Sequence, residues 1–193
     1  FTDIIAAIKY ITPAPGRMQT YSKVGCANAV VDFAHTPDAL HNVLATLKKQ
    51  TQGKLVVVFG CGGNRDASKR PQMTAIAQSI ADRVILTADN PRKENLDNII
   101  ADMQSNSDAA SKELVVVEID RSKAIEIALA ELDEQDLLLI AGKGHEAYQD
   151  IDGIKHPYSD EAVLLSLGYQ DVAQPIESLQ ADSIKIDSIK EVL

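Results

Sequence analysis

LVVVFGCGGNRDASKRP, residues 55–71, decides the fold of this chain. Leu55 to Phe59 carries no polar residue, as expected of a strand buried on both faces rather than one alternating in and out. The run empties into Gly60, Gly62 and Gly63, then into Arg65, Asp66, Lys69 and Arg70. Pro71 is expected to open the next helix, where a missing N–H costs nothing. Glycines at the carboxyl end of a strand let the main chain approach a ligand closely. The two arginines offer planar forks for a carboxylate or a phosphate. The same residues also fit a solvated βα loop with surface arginines.

Outward from this segment the chain alternates regularly. Met18–Lys23 and Ala27–Ala34 read as paired strands around a turn at Gly25. Thr36 is a candidate helix cap with Pro37 at the first helical position, followed by Leu40, Val43, Leu44 and Leu47 at helical spacing. After the 55–59 strand come a helix bearing Met73, Ile76, Ala77 and Ile80, a strand at 83–87, and a helix bearing Leu96, Ile99, Ile100 and Met103. A strand at 114–119 leads to a helix with Ile125, Ala128, Leu129 and Leu132, and a strand at 136–141 runs into a second glycine loop. Such alternation predicts right-handed crossovers and an α/β, Rossmann-like fold, a mostly parallel sheet flanked by helices. Within 148–158, Asp152-Gly153 is a hairpin signal, so a small antiparallel element is expected there. Ser159 or Asp160 caps a last helix running to Leu167, and the polar remainder, with Asp-Ser-Ile-Lys at 182–185 and 187–190, reads as a loosely docked extension.

At 193 residues and 45% hydrophobic content the chain can bury one full core. A net charge of −9 argues against nucleic acid as the main partner, and no apolar run approaches the ~18 residues that span a bilayer, so no membrane role is expected either. Cys26 and Cys61 lie far apart and form no metal spacing, which favours a reducing, cytoplasmic setting. Phe1 is not an initiator, and Ile4, Ile5 and Ile8 fall on one helical face, so the chain reads as starting inside an element.

The unusual residues cluster by position. Asp32 and His35, the 60–70 loop, Asp89-Asn90-Pro91-Arg92, and Gly142-Lys143-Gly144-His145-Glu146 each follow a predicted strand, and such ends line one edge of an open α/β sheet, where ligands bind. Neither common nucleotide motif is complete. The third glycine of a dinucleotide fingerprint falls on Arg65, and Gly144 stands where a phosphate loop needs Ser or Thr. Taken singly, Asp32 also fits a strand-end cap, Asp89–Arg92 a plain turn, and Lys143 with Glu146 a surface ion pair. No two of the four histidines share a metal-ligand spacing, and no metal site is expected.

Gly16-Arg17-Met18, the stretch from Val31 to Leu40, the stretch from Phe59 to Pro71, Asp89–Arg92 and Ala141–Glu146 occur in the order and spacing of the Mur ligase family. The resemblance covers residues 16–168 and is to the carboxyl-terminal domain of its diaminopimelate-adding branch. It implies an ATP-dependent ligase of peptidoglycan precursor synthesis, joining meso-diaminopimelate to UDP-N-acetylmuramoyl-L-alanyl-D-glutamate, with ATP and Mg2+ bound mainly by other domains in cis. Residues 1–15 would be the remnant of the central domain and residues 169–193 an extension. By resemblance, Arg65, Asp89, Asn90, Pro91, Arg92, Gly142 and Glu146 meet diaminopimelate, Arg17 and Asp32 face ATP, and His35 lies in the same stretch. Phe33, Asn64 and Gln19 depart from the family's usual tyrosine, aspartate and glutamate. The chemistry agrees, because diaminopimelate is lysine with an added carboxylate. Arg65 and Arg92 suit that carboxylate, Glu146 an ammonium, and Asn90 either. Two alternatives stay open: a related ligase adding lysine or extending folate with glutamate, and a non-catalytic anion-binding module. On either ligase reading, the chain alone lacks a phosphate loop and is expected not to turn over ATP.

Overall fold

The structure, a computed structural model, describes residues 14–105 and 114–172. The amino-terminal helical face, residues 1–13 of the expected remnant and the repeated Asp-Ser-Ile-Lys lie outside the described residues.

The strand expected at its opening motif is β3 (Leu55–Phe59), with all five residues buried. Its side chains alternate between two apolar layers. Leu55, Val57 and Phe59 point into the layer under α1 (Pro37–Gln50), α2 (Lys69–Ile80) and α3 (Leu96–Gln104). Val56 and Val58 join the layer under α4 (Arg121–Ala130) and α5 (Asp160–Ser166). A period of two with helices on both faces explains a strand with no polar position.

The main sheet runs β5 (Val115–Val117), β4 (Arg83–Leu86), β3, β6 (Leu137–Ala141), β2 (Asn28–Asp32), β1 (Gln19–Ser22), β9 (Gln170–Asp171). The pairs β5–β4, β4–β3, β3–β6 and β6–β2 are parallel, and β1 runs antiparallel to both β2 and β9. The chain moves outward from β3 to β5 and returns to β6, so the strand order reverses between β3 and β6. A crevice is expected at that reversal. The hairpin β7 (Tyr148–Ile151) and β8 (Ile154–Pro157) forms a separate two-stranded sheet, as Asp152-Gly153 predicts.

Local capping follows the sequence. Thr36 Oγ1 accepts from the Ala39 N–H at the start of α1, and Ser159 Oγ accepts from the Ala162 N–H at the start of α5. Several boundaries shift by a residue or two, and two of the shifts bear on the site and the sheet. The second helix starts at Lys69, with Pro71 third rather than first, which is tolerated because none of the first-turn N–H groups has an intrahelical partner. The expected loose extension also begins on the sheet. Tyr169 is buried, Gln170 and Asp171 pair with Ser22 and Tyr21, and the Gln19 amide donates to Asp171 at 2.8 Å. Gln19 also accepts from the Gly16 N–H at 2.9 Å, so an amide at this position serves both neighbours where glutamate would repel Asp171.

Candidate amino-acid and nucleotide site

Loops after β2, β3, β4 and β6 enclose a cavity of about 510 Å3 at the carboxyl ends of the strands. Its lining includes His35, Arg65, Asp89, Asn90, Arg92, Gly142 and Glu146. Of the other residues singled out from the sequence, Arg17, Asp32 and Pro91 are not in that lining.

The loops after β3 and β4 are packed main chain against main chain. The Gly63 N–H donates to the Asn90 carbonyl at 2.9 Å, and a Cβ on Gly63 would overlap the Pro91 carbonyl, so only glycine allows this approach. Arg92 donates through Nη1 to the Gly63 carbonyl at 2.9 Å and the Asn90 carbonyl at 3.4 Å. Its Nε and Nη2 keep no protein acceptor among the described residues. Arg65, on the other side of Gly62, is exposed and unpaired among the described residues. The pocket therefore holds two guanidinium groups with donors to spare.

The other half of the cavity is anionic and densely hydrogen-bonded. Lys143 is fully buried, and Nζ donates to Asp89 Oδ1 at 3.2 Å, Asn90 Oδ1 at 3.0 Å and Glu146 Oε2 at 3.3 Å. It also lies 5.9 Å from the Tyr148 ring and 6.0 Å from the Tyr158 ring. This corrects the surface ion-pair reading: a buried ammonium needs several oxygens, and it finds them on two loops. Asn90 is consumed in the same way. Its Oδ1 accepts from Lys143 and from the Asp150 N–H at 2.9 Å, and its Nδ2 donates to Glu146 Oε2 at 2.9 Å. Asn90 thus orients Glu146, whose Oε1 has no protein donor among the described residues.

Arg70 is the second correction. Rather than offering a free fork, it is 2% exposed and donates to Glu94 at 2.6 and 2.7 Å, to Asp102 at 2.8 Å and to the Gly62 carbonyl at 3.2 Å. The bonds from Arg70 and from the Asn64 N–H hold the Glu94 carboxyl down to about 2. Asn64 in turn accepts from the Lys93 N–H at 3.1 Å, so the departure from aspartate still ties the two loops together. Below the cavity, Arg121 and Asp160 form a buried pair at 2.8 and 2.9 Å, and Arg121 also donates to the Ala141 carbonyl at 3.0 Å and the Ala88 carbonyl at 3.5 Å. That pair fixes the ends of β4 and β6 from which Asp89 and Gly142 emerge. Burial pushes the Cys61 thiol in the cavity wall up to about 12, with the Asp89 charge adding to it, so the sulfur stays neutral.

Toward β2 the character changes. Asp32 is buried, with Oδ1 accepting from the Ala34 N–H at 2.8 Å and Oδ2 from the Met18 N–H at 2.9 Å. Phe33 lies edge-on to His35 at 4.6 Å and tilted to His145 at 5.8 Å, and Arg17 sits 5.5 Å from the Phe33 ring. Arg17 and His35 are exposed. This surface is aromatic and open, suited to a flat ring rather than to a point charge.

Lys143, Arg121 and Asp160 were not singled out from the sequence as site residues. One signal was available: Arg121 occupies the first position of α4, where the helix dipole disfavours a cation unless a carboxylate answers it.

Residues 16–144 match the family model described as Mur ligase, glutamate ligase domain. A UDP-N-acetylmuramoyl-L-alanyl-D-glutamate–2,6-diaminopimelate ligase from Chromobacterium violaceum is 49% identical over 160 residues, 82% of this chain and 32% of that protein. The ligase of the same name from Cytophaga hutchinsonii is 40% identical over 166 residues, 86% of this chain and 34% of that protein. A solved structure of a ligase of that name superposes with a TM-score of 0.74 at 44% identity, covering 84% of this chain and 33% of that one. A bifunctional folylpolyglutamate synthase/dihydrofolate synthase from Yersinia pestis, at 23% identity and a TM-score of 0.51 over 67% of this chain and 28% of that one, shares the fold alone. The chain spans about a third of the length of the curated relatives it matches. By the match over residues 16–144 and by its parallel sheet with a second, antiparallel hairpin, this chain belongs to the Mur ligase family.

Proposed function

We propose that this chain is the amino-acid-positioning, carboxyl-terminal domain of an ATP-dependent ligase that adds meso-diaminopimelate to UDP-N-acetylmuramoyl-L-alanyl-D-glutamate. The observation that carries the reading is the pairing, in one cavity, of two guanidinium groups with spare donors and a carboxylate held by buried Lys143 and Asn90. The distal end of diaminopimelate is a zwitterion. Its carboxylate fits the fork of Arg92, with Arg65 beside it, and its ammonium fits Glu146 Oε1. Lysine would leave Arg92 without an anion in a half-buried position, which favours diaminopimelate over a lysine-adding ligase.

On this reading the acyl phosphate formed from ATP arises on the other domains, and this chain contributes by holding the attacking amine in line. Arg17 and His35, with the Phe33 ring, face the nucleotide. Asp32 faces it from the end of β2, where one N–H on each oxygen fixes the carboxylate and leaves lone pairs to accept from a ribose hydroxyl. Among the described residues no group of three or more His, Cys, Asp or Glu could hold a metal ion. No helix among the described residues is long and apolar enough to cross a membrane. Cytoplasmic location, where the nucleotide-linked precursor and ATP would meet, belongs to the same proposal.

The test is phosphate release and product formation by the full-length ligase with UDP-N-acetylmuramoyl-L-alanyl-D-glutamate, ATP and either diaminopimelate or L-lysine. The proposal expects strong preference for diaminopimelate and no turnover by residues 1–193 alone. Equal use of lysine would overturn the substrate assignment, and multiple turnovers by the isolated chain would overturn the division of labour.

A further inference from the structure

The β7–β8 hairpin reaches away from the sheet with every β8 residue exposed and β7 no better than half-buried. Two four-residue strands are marginal on their own in water. What holds them is the loop that carries Arg92. The Arg92 N–H donates to the Asp150 carbonyl at 2.9 Å, and the Asp152 N–H donates to the Arg92 carbonyl at 2.7 Å. Arg92 thereby bridges Ile151 in parallel register, a one-residue third strand. The Asp150 N–H adds a bond to Asn90 Oδ1 at 2.9 Å.

These bonds fall on a residue whose conformation needs them. Arg92 has φ +53°, a left-handed conformation that a side-chain-bearing residue holds only when its surroundings over-determine it. Both of its main-chain polar groups are taken by the hairpin, so the hairpin sets the direction of its Cα–Cβ bond. The guanidinium is then steadied at the far end by the Gly63 carbonyl. The hairpin's own shape depends on its turn. Asp152 and Gly153 have φ +54° and +80°, and the Asp150 carboxylate accepts from the Gly153 N–H at 3.1 Å.

We infer that the β7–β8 hairpin is a positioning element for amino-acid selectivity: residues outside the cavity aim Arg92 at the distal end of the incoming amino acid. The inference rests on the reading of this cavity as the amino-acid site. The hairpin meets Arg92 on its main chain only, so its effect on the distal carboxylate runs through the direction of the Arg92 side chain.

The probe is Gly153→Val in the full-length ligase. A Cβ there meets nothing closer than Lys93 Cε at 4.0 Å, so the substitution strains the turn's φ without a clash. Asp150→Ala is the milder companion, since it removes only the carboxylate bond to the turn and keeps every main-chain group. Gly153→Val should lower kcat/KM for diaminopimelate by about 10- to 100-fold, mostly through KM, as expected for a misplaced binding group. The poor substrate L-lysine should change by less than about threefold, and Asp150→Ala should shift the ratio in the same direction by less. In an Arg92→Ala background, Gly153→Val should add no further loss. Equal losses for both amino acids, an unchanged ratio in both variants, or a full additional loss on top of Arg92→Ala would overturn the inference. Should the wild-type ligase prefer another amino acid, the diaminopimelate assignment fails. The same double-mutant cycle on the amino acid it does use then decides the hairpin's role.

Discussion

The two ends of the cavity are built differently. At the β3–β4–β6 end a lattice of two polar clusters, Arg70 with Glu94 and Asp102, and buried Lys143 with Asp89, Asn90 and Glu146, ties three loops, leaving Arg65, Arg92 and Glu146 Oε1 turned to the cavity. At the β2 end, among the described residues, Asp32 binds only backbone, and Phe33, His35, His145 and Arg17 make an open aromatic surface with no ion pair. On the proposed reading the first end is preorganised for a charged ligand. The second, on the same reading, faces the nucleotide. A domain whose partner domains supply the phosphate chemistry would be divided in this way.

Lys143 is where the comparison breaks most severely. Lys143→Met leaves Asp89 and Glu146 without their cation, and the expected loss is about 3–5 kcal/mol in denaturant unfolding. Asn90→Ala should spare more stability yet weaken diaminopimelate binding, since Glu146 loses its orienting donor. A Lys143→Met variant as stable as wild type would mean that the lattice does not hold these loops.

At the other end, Asp32→Asn turns an acceptor into a donor against one backbone N–H, which costs about 1–2 kcal/mol of stability. ATP affinity of the full-length enzyme should fall as well, because the ribose hydroxyl loses a charged acceptor. Unchanged ATP affinity would mean that Asp32 does not meet the nucleotide.

Acid separates the two ends again. Glu94 titrates near 2 when folded and near 4.5 ordinarily, so the unfolded chain takes up the proton first. Stability present above about pH 4.5 is therefore lost as pH falls through about 2. Denaturant midpoints measured down that range should fall more steeply for wild type than for Glu94→Gln, and parallel curves would remove Glu94 from the lattice. The smallest effect is expected for Arg17→Ala, whose exposed contact with Phe33 is worth about 0.5–1 kcal/mol. A larger change in melting would mean that the open end is more constrained than its geometry indicates.

Nearly all of the layered fold was legible in the sequence, because apolar runs such as 55–59 and caps such as Thr36 and Ser159 are local signals. So was the edge on which the site sits, since loop position follows from strand direction. What stayed hidden depends on partners far apart in the chain. Lys143 reads as a surface charge until Asp89 and Asn90 arrive from another loop, and Arg70 reads as a free fork until Glu94 and Asp102 claim it. Asn90 likewise reads as a wholly free amide until Lys143, Glu146 and Asp150 take its oxygen and one of its two N–H bonds. The edge strand Gln170–Asp171 was lost for a different reason: two residues carry no periodicity.

The claim that most of this depends on is that Arg92 reads the distal carboxylate. The direct measurement is kcat/KM for diaminopimelate and for L-lysine in the full-length ligase, wild type against Arg92→Ala. Losing a half-buried charge-assisted pair is worth roughly 2–5 kcal/mol, so diaminopimelate should fall by about 30- to several-thousand-fold. L-Lysine, which has no group for that arginine, should fall far less or improve, and the gap between the two should close. Equal losses for both amino acids would contradict the account and return Asp89–Arg92 to a structural turn.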